Sequence, residues 1–499
     1  MDVFGNLMIG FSVVVTPINL FYCFLGVTLG TLIGVLPGIG PSATLAMLLP
    51  VTFGLQTTTA LIMLAGIYYG AQYGGSTTAI LVNLPGEASS AVTTIDGYQM
   101  ARQGRGGVAL GVSAMGSFFG GTIATIFVAF FAPFLASVAL RFGPAEYFSL
   151  MLFGLIGSVV LASGSILKAI GMTLFGLATG IVGTDVQSNA LRFTFGNENL
   201  FNGFDVVVVA MGIFAFSEIA VTLDISERRE KYLGKINNLY PTLKELKQVL
   251  MPCIRGTVIG TILGILPGGG PLLASFSAYT IEKKVAAHPE RFGHGAIEGV
   301  AAPETANNAA AQTAFIPVLT LGIPTSGAMA LLLGAMILHG ITPGPLVMMK
   351  NPDLFWGVIA SMWVGNGLLL ILNLPLIGIW VKLLKVPYRL LFPSILAFCC
   401  IGLISLESST FQIFLGAGFG LLGYITLKLG CEPAPFLLGF ILGPMVEENL
   451  RRALVLSRGN PMVFFTQPIS AVFLLFALGL LISVILPSVR GLRKEAFTE

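Results

Sequence analysis

The sequence predicts an all-α polytopic membrane protein of about 12 transmembrane or re-entrant helices. The first observation is its composition: 55% of the 499 residues are hydrophobic and only 10% are charged, whereas soluble proteins carry about 25% charged residues. The second is the recurrence of apolar runs of the roughly 20 residues that a spanning helix needs, such as residues 108–140 and 471–487. The third is an apolar element that occurs twice and contains helix-breaking residues.

The duplicated element divides the chain into two halves. GTLIGVLPGIGP at residues 30–41 returns as GTILGILPGGGP at residues 260–271, an offset of 230 positions. A polar segment between them, residues 224–248, carries six Lys and Arg residues and belongs in the cytoplasm by the positive-inside rule. We therefore predict an N-terminal repeat at residues 1–222, a cytoplasmic connector at 223–252, and a C-terminal repeat with additional helices at 253–499.

The basic residues of the loops differ between the two halves. The connection after the first element, residues 51–59, has no Lys or Arg, whereas the region after the second element holds Lys283, Lys284 and Arg291. Later in the first half QMARQGRGG carries two Arg residues, where the second half has a single Lys. Such an exchange of basic loops is typical of repeats with opposite membrane orientations, so we predict inverted repeats.

Each copy of the element predicts a helix that is broken near mid-membrane. Proline inside a helix removes a hydrogen bond at a cost of about 3 kcal/mol, and bilayers tolerate open backbone only where protein or a cavity satisfies it. Free helix N-termini suit carboxylates, while helix C-termini and unwound carbonyls suit sodium. The candidate binding residues at the two breaks are Pro37, Gly38, Gly40, Ser42, Gly268 and Gly270. The alternative interpretation is a pair of kinks that serve helix packing.

A polar cluster with another Pro-containing break follows each broken helix. The candidates in the first half are Ser76, Thr77, Asn83, Pro85 and Gly86, and those in the second half are Glu304, Thr305, Asn307, Asn308, Pro324, Thr325 and Ser326. Hydroxyl and amide oxygens beside free carbonyls form a plausible sodium shell, which we place near Gly38, Gly268, Asn83 and Thr325. The alternative is ordinary hydrogen bonding between membrane helices.

Glu304 is the most informative acidic residue. A carboxylate inside a membrane costs at least about 2.5 kcal/mol unless it is paired or hydrated. It could bind a cation, carry a proton, or cap a helix that begins at Thr305. Glu87 and Asp96 are less specific, because a basic loop follows them closely. The mixed charges of residues 443–461 indicate an ion-paired helix end.

Other functional classes are excluded or unsupported by the sequence. Residues 38–43 match GxGxxA formally, but prolines flank the glycines and no acidic residue follows about 20 positions later, as a dinucleotide site requires. No P-loop is present, and the five Cys and three His residues have no metal-site spacing. The net charge of +3 gives no reason to expect nucleic acid as a partner. We expect no cofactor and no enzymatic activity.

Several long motifs resemble the TctA family, the large membrane subunit of tripartite tricarboxylate transporters. They include GVLPGIGPSATLAMLLP, YGGSTTAILVNLPGEASS, APETANNAA and LTLGIPTSGAMALLLGA. The resemblance implies a secondary transporter of the bacterial inner membrane, coupled to Na⁺ or H⁺, with a small membrane subunit of about four helices and a periplasmic solute-binding protein as partners. It also implies di- or tricarboxylate substrates such as citrate, or related organic acids, and no contact with nucleic acid.

Within this resemblance, the binding site falls on the two breaks and on the stretches around Asn83 and Glu304. Paired re-entrant tips in inverted halves favour an elevator-type alternating access, in which one membrane-embedded domain carries the site past a fixed scaffold surrounded by lipid. The alternative function is a channel or scaffold subunit without ion-coupled transport. The identity of the carboxylate and the choice between Na⁺ and H⁺ stay open.

Overall fold

The computed structural model describes residues 3–36, 38–162, 165–185, 187–225, 238–268, 270–384, 388–407 and 409–485. Most of these residues are helical, and the predicted all-α fold is confirmed. The helices of the first half are α1 (Val3–Val14), α2 (Pro17–Gly34), α3 (Pro41–Leu48), α4 (Thr57–Val82), α5 (Ala91–Met100), α6 (Gly106–Ala139), α7 (Pro144–Leu161), α8 (Ile166–Gly180), α9 (Val206–Ala210) and α10 (Ser217–Ile225). A short antiparallel hairpin, β1 (Gly183–Thr184) and β2 (Leu191–Arg192), lies between α8 and α9.

The second half continues the helical architecture. Its helices are α11 (Leu243–Ile265), α12 (Gly270–Val285), α13 (Glu298–Thr313), α14 (Phe315–Leu321), α15 (Gly327–Leu338), α16 (Val347–Lys350), α17 (Pro352–Asn373), α18 (Ile377–Leu383), α19 (Tyr388–Glu407), α20 (Phe411–Lys428), α21 (Pro433–Leu456), α22 (Val463–Thr466) and α23 (Pro468–Ile485). Its core consists of α13 to α15, in which nearly every residue is buried.

The helices match a multi-pass membrane protein. Within the described residues, seven helical segments are long and apolar enough to cross a membrane, and six shorter apolar helices accompany them. One of the shorter helices, α15 with its 12 residues, rises only about 18 Å, less than the roughly 30 Å of a hydrocarbon core. Large apolar side chains such as Phe134 and Leu475 are exposed on the outer faces of helices, as expected where helices meet lipid.

Both copies of the duplicated element interrupt a helix, as predicted. The connection between α2 and α3 contains Gly38 at a φ of +87°, and the connection into α12 contains Gly268 at +79° and Gly270 at +49°. Only glycine adopts such left-handed angles without strain. Pro37, one of the predicted site residues, lies outside the residues that the structure describes.

A second interruption follows the central helix of each half. The central helix is α4 in the first half and the continuous pair α13–α14, separated by Ala314 alone, in the second half. α4 ends at Asn83, whose φ of 54° is left-handed, and α14 ends at Gly322, whose φ is 69°. A proline comes two residues later in both halves. In the first half, Glu87 is the N-cap of a 3₁₀ turn, Ala88–Ser90, that leads into α5. In the second half, Ser326 is the N-cap of α15. The chain therefore leaves both central helices in the same way.

A stripe of glycines holds each broken helix against the central helix of its half. The stripe is Gly26, Gly30 and Gly34 on α2, and Gly256, Gly260 and Gly264 on α11. A Cβ atom at Gly30 would lie 2.3 Å from the carbonyl oxygen of Ile67 in α4, and one at Gly260 would lie 2.2 Å from that of Ala306 in α13. No side chain fits at either position, so the helices touch through their backbones. These equivalent contacts are what two structural repeats would make, and the division into repeats stays a prediction.

The membrane orientation of the two repeats stays a prediction, and so do the boundaries at residues 222 and 252. α10 runs to Ile225 and α11 starts at Leu243. Residues 226–237, the centre of the predicted cytoplasmic connector, lie outside the described part of the chain.

Ion pairs fix the β1–β2 hairpin to α21. Arg192 contacts Glu447 at 2.9 Å, and Arg451 contacts Asp185 at 2.9 Å. Glu447 also pairs with Arg451 one turn along α21. The prediction of an ion-paired helix in this region is confirmed.

The glycine stripe is testable by adding one methyl group. We expect Gly30→Ala to destabilise the protein by about 1–3 kcal/mol, because the new Cβ overlaps the Ile67 carbonyl. The matched control is Gly367→Ala in α17, where a Cβ would meet nothing within 4 Å, and where replacing a helical glycine stabilises by up to about 1 kcal/mol. Thermal unfolding of the purified protein in detergent measures both. Equal melting temperatures for the two variants would contradict backbone contact at Gly30.

Candidate functional site

A buried carboxylate joins four helices at the centre of the molecule. Glu304 of α13 is 1% exposed. Its Oε2 accepts hydrogen bonds from Ser76 Oγ of α4 at 2.6 Å and from Ser113 Oγ of α6 at 3.1 Å, and its Oε1 accepts from Thr93 Oγ1 of α5. These three hydroxyl donors compensate for much of the cost of burying the charge. Because α13 already begins at Glu298, the interpretation of Glu304 as a cap of a helix starting at Thr305 is wrong.

Two predicted site residues beside Glu304 connect α13 to its surroundings. Asn308 donates to Ser117 Oγ of α6 at 2.8 Å and to the Glu304 carbonyl at 3.1 Å. Thr305 donates to the Ala301 carbonyl of its own helix at 2.7 Å. Both arrangements are the ordinary hydrogen bonding that polar residues make within and between membrane helices.

A second buried carboxylate, Glu87, lies at the break after α4. Asn307 Nδ2 of α13 donates to Glu87 Oε1 at 2.9 Å, and Ser89 Oγ donates to the same oxygen. Ser89 Oγ also lies 3.2 Å from Asn307 Oδ1 and 3.3 Å from Gln72 Oε1 of α4. Of these four residues, only Asn307 was among our predicted site residues. The Pro-Gly pair directly before Glu87 was the sequence signal that this acid stands at a break.

Close glycine contacts bring this carboxylate to the first broken helix. A Cβ atom at Gly86 would lie 2.4 Å from Gly75 Cα and 2.6 Å from the Gly34 carbonyl oxygen, so the break packs directly on α4 and α2. A Cβ atom at Gly40 would lie 4.0 Å from Glu87 Cβ. The predicted residues Gly40 and Gly86 are therefore neighbours of Glu87.

The tip between α2 and α3 also faces α10. A Cβ atom at Gly38 would lie 3.1 Å from Thr222 Oγ1 and 3.2 Å from Glu218 Oε1. Sequence reasoning missed Glu218, because no local pattern indicates that α10 returns to this tip. Asn83, by contrast, is exposed at the end of α4, so its contribution to the break is its left-handed backbone.

The two breaks of the second repeat meet in one pocket. The Gly268 amide donates to the Thr325 carbonyl at 2.9 Å, and a Cβ atom at Gly270 would lie 3.8 Å from Ser326 Cβ. These four predicted residues line a pocket of about 100 Å³ that α7 and α21 close from the other side. The first turns of α12 and α15 both begin at its wall, so two helix N-termini face the same space.

Two further features mark this second-repeat pocket. Thr325 is fully buried, and within the described part of the chain its Oγ1 has no hydrogen-bond partner. A Cβ atom at Gly327 would lie 3.4 Å from Ser42 Oγ at the start of α3, so the first repeat reaches this pocket through another predicted site residue. An unpartnered buried hydroxyl is costly and therefore indicates a position for a bound group. Of the remaining predicted residues, Thr77 is buried in α4, and Pro85 and Pro324 lie within the breaks after α4 and α14.

Residues 20–438 of the chain match the family described as Tripartite tricarboxylate transporter TctA family. The matched region includes both broken helices, the two buried carboxylates and the second-repeat pocket. The chain belongs to the TctA family. The resemblance read from the motifs is thereby confirmed, and the TctA family is a family of transporter subunits, which is the class of function predicted.

Two relatives from Agrobacterium vitis are similar to this TctA family member. A 52.8 kDa protein in the TAR-I ttuC′ 3′ region is 57% identical over 499 residues, which cover 100% of this chain and 99% of the relative. A protein in the TAR-II ttuC′ 3′ region is 58% identical over 240 residues, or 48% of this chain and 99% of that relative. No solved structure matches the chain.

Removal of the Glu304 carboxylate tests its role in joining α4, α5, α6 and α13. We expect Glu304→Ala to destabilise the protein by about 2–4 kcal/mol, because three buried hydroxyls lose their acceptor and a cavity remains. Glu290→Ala, in an exposed loop, should change stability by less than about 0.5 kcal/mol. Chemical or thermal unfolding in detergent gives both values. A Glu304→Ala protein as stable as the Glu290→Ala protein would show that this carboxylate does not hold the helices together.

Proposed function

We propose that this chain is the large membrane subunit of a secondary, cation-coupled tripartite transporter that imports di- or tricarboxylates or related organic acids. The observation that carries the proposal is the second-repeat pocket, where two helices begin at the wall and Thr325, whose buried hydroxyl has no hydrogen-bond partner among the described residues, is one of the lining residues. Helix N-termini present backbone N–H groups and a partial positive charge, the elements of an anion site. A carboxylate is the anion that the family description supports.

The pocket compensates for the charge of an anion without basic side chains. Its described lining contains Ser158, Thr325 and Ser326 as polar neutral groups, and one acid, Glu432, at the start of α21. No Lys, Arg or His is among the lining residues that the structure describes. A carboxylate held in this way benefits from a cation that enters with it, so the pocket favours symport over simple anion permeation.

The arrangement of the pocket also supports an elevator mechanism. The breaks of the second repeat form one wall, while α7 and α21 form the opposite wall. In an elevator, the breaks and the central helices α4 and α13 would move together, and α7 with α21 would belong to the fixed scaffold. Both substrate and cation would then cross the membrane with the moving unit.

We further propose the partners and the location that the word tripartite in the family description suggests. The partners are a small membrane subunit of about four helices and a periplasmic solute-binding protein that delivers the carboxylate. The location is the inner membrane of a bacterium, as for a protein with relatives in Agrobacterium vitis.

Reconstitution of the three components in proteoliposomes tests this function. We expect accumulation of a radiolabelled carboxylate when an inward cation gradient is imposed, and equal accumulation with and without ATP, because the energy comes from the gradient. Omission of the binding protein should abolish uptake at low substrate concentration. Equilibration without accumulation under both sodium and proton gradients would instead support a channel or scaffold subunit.

Thr325→Val isolates the role of the pocket from its role in folding. The substitution keeps the side-chain shape and breaks no hydrogen bond to a residue that the structure describes, because Thr325 Oγ1 has no partner among them. We expect unchanged thermal stability and a rise in the KM for the carboxylate of about 5-fold or more, the usual effect of losing one hydrogen bond of 1 kcal/mol or more. Thr173→Val is the matched control, since Thr173 is also buried but donates to its own helix in α8. Equal KM values for the two variants would remove Thr325 from the binding site.

A further inference from the structure

When the Gln72 amide oxygen is turned toward Ser89, the group of oxygen atoms around Ser89 contains more acceptors than donors. Ser89 Oγ lies within hydrogen-bonding distance of Glu87 Oε1, Asn307 Oδ1 and Gln72 Oε1. A hydroxyl carries one proton, so it can donate to only one of these three acceptors. Asn307 Nδ2 supplies a second donor, to Glu87 Oε1. The remaining oxygens face one another in the protein interior.

A buried tyrosine adds a further oxygen to this group. Tyr68 of α4 is 1% exposed, and its hydroxyl is close to Gln72 and Glu87 without a hydrogen bond of good geometry to any described residue. No Lys, Arg or His side chain within the described residues forms an ion pair with Glu87. Glu87 is therefore a buried carboxylate whose negative charge no cationic side chain balances, an arrangement that is costly without another cation.

Gln72 allows two arrangements of the same cluster. With its amide nitrogen turned inward, Gln72 donates to Glu87 and to Asn307 Oδ1, the latter at 2.9 Å. With its amide oxygen turned inward, the side-chain oxygens of Gln72, Glu87, Ser89 and Asn307 converge. The first arrangement satisfies the cluster by hydrogen bonds alone, whereas the second is the oxygen-only donor set that hard cations prefer.

The two repeats differ at the position that Glu87 occupies. Glu87 and Ser326 are the N-caps that follow the equivalent breaks. The first repeat therefore carries a carboxylate at its break, while the second repeat carries hydroxyls and the pocket with two helix N-termini. This difference separates a site of negative charge from a site suited to an anion, as a symporter needs for cation and substrate.

We propose that Gln72, Glu87, Ser89 and Asn307, with the Tyr68 hydroxyl nearby, bind the coupling Na⁺ ion. The assignment rests on the function proposed above. Sodium at this place neutralises Glu87 before the carboxylate is carried through the bilayer, where an unpaired charge is costly. The amide of Gln72 turns its oxygen inward on binding and its nitrogen inward on release. Glu304, already bound by three hydroxyls, positions α13 and thereby Asn307.

Sodium binding by the purified large subunit tests the site independently of transport. We expect NaCl, compared with an equal concentration of choline chloride, to raise the melting temperature of the wild-type protein. We also expect the wild-type protein to bind ²²Na⁺ directly. Glu87→Gln should weaken ²²Na⁺ binding about 10-fold or more, and Ser89→Ala by a smaller factor, as for the loss of a metal ligand or its support. The matched control is Glu146→Gln, because Glu146 is equally buried but caps α7 at Gly143.

Transport in the three-component proteoliposomes completes the test. We expect Glu87→Gln to lose the stimulation of carboxylate uptake by a sodium gradient, and Glu146→Gln to keep it. Wild-type ²²Na⁺ binding by the Glu87→Gln and Ser89→Ala variants would overturn the sodium site, and so would uptake that responds only to a proton gradient. Specific ²²Na⁺ binding that depends on Glu87, in a wild-type protein that accumulates no carboxylate, would support the site and contradict the proposed transport function.

Discussion

The requirement that buried backbone groups find partners within the protein governs this structure. Four breaks expose N–H and C=O groups among apolar helices, and each break recovers hydrogen bonds from nearby chain. The Gly268 amide bonds to the Thr325 carbonyl of the neighbouring break, and the Gly86 amide bonds to the Gly75 carbonyl of α4. These bonds require close approach of backbones, which explains why glycine occupies the contact positions.

The same constraint places the polar side chains. Because the breaks are pressed against α4 and α13, the residues that follow them reach two helices that are almost completely buried. Glu87 thereby meets Asn307, and Thr325 meets the tip at Gly268. The repeats share this geometry but differ in chemistry, with a carboxylate in the first and hydroxyls in the second. In the function proposed above, the two halves thus carry two sites of opposite character.

Much of this framework could be predicted from the sequence, because Gly and Pro have local meaning. The two elements at residues 30–41 and 260–271 predicted the breaks, and the burial cost of a charge drew attention to Glu304. Glu218 and Tyr68 could not be found in this way, since their relevance depends on which helices meet at a tip. The glycine stripes were visible in the printed sequence, but their partners at Ile67 and Ala306 follow only from the packed helices.

The stripes have a mechanical consequence. Where glycines bring two helices into contact through carbonyl oxygens and Cα atoms, no side chain of the glycine helix separates the two backbones, so sliding one helix along the other would force overlap at each glycine. The pairs α2–α4 and α11–α13 are therefore expected to move as rigid units. Any displacement during a working cycle must be taken up where side chains form the interface. The tip at Gly268 meets Gly157 of α7 through backbone atoms as well, whereas Gly327 meets the side chain of Ala434 in α21, so the boundary with α21 is such a place. Rigid contacts within each helix pair thus direct motion to the interfaces that side chains form.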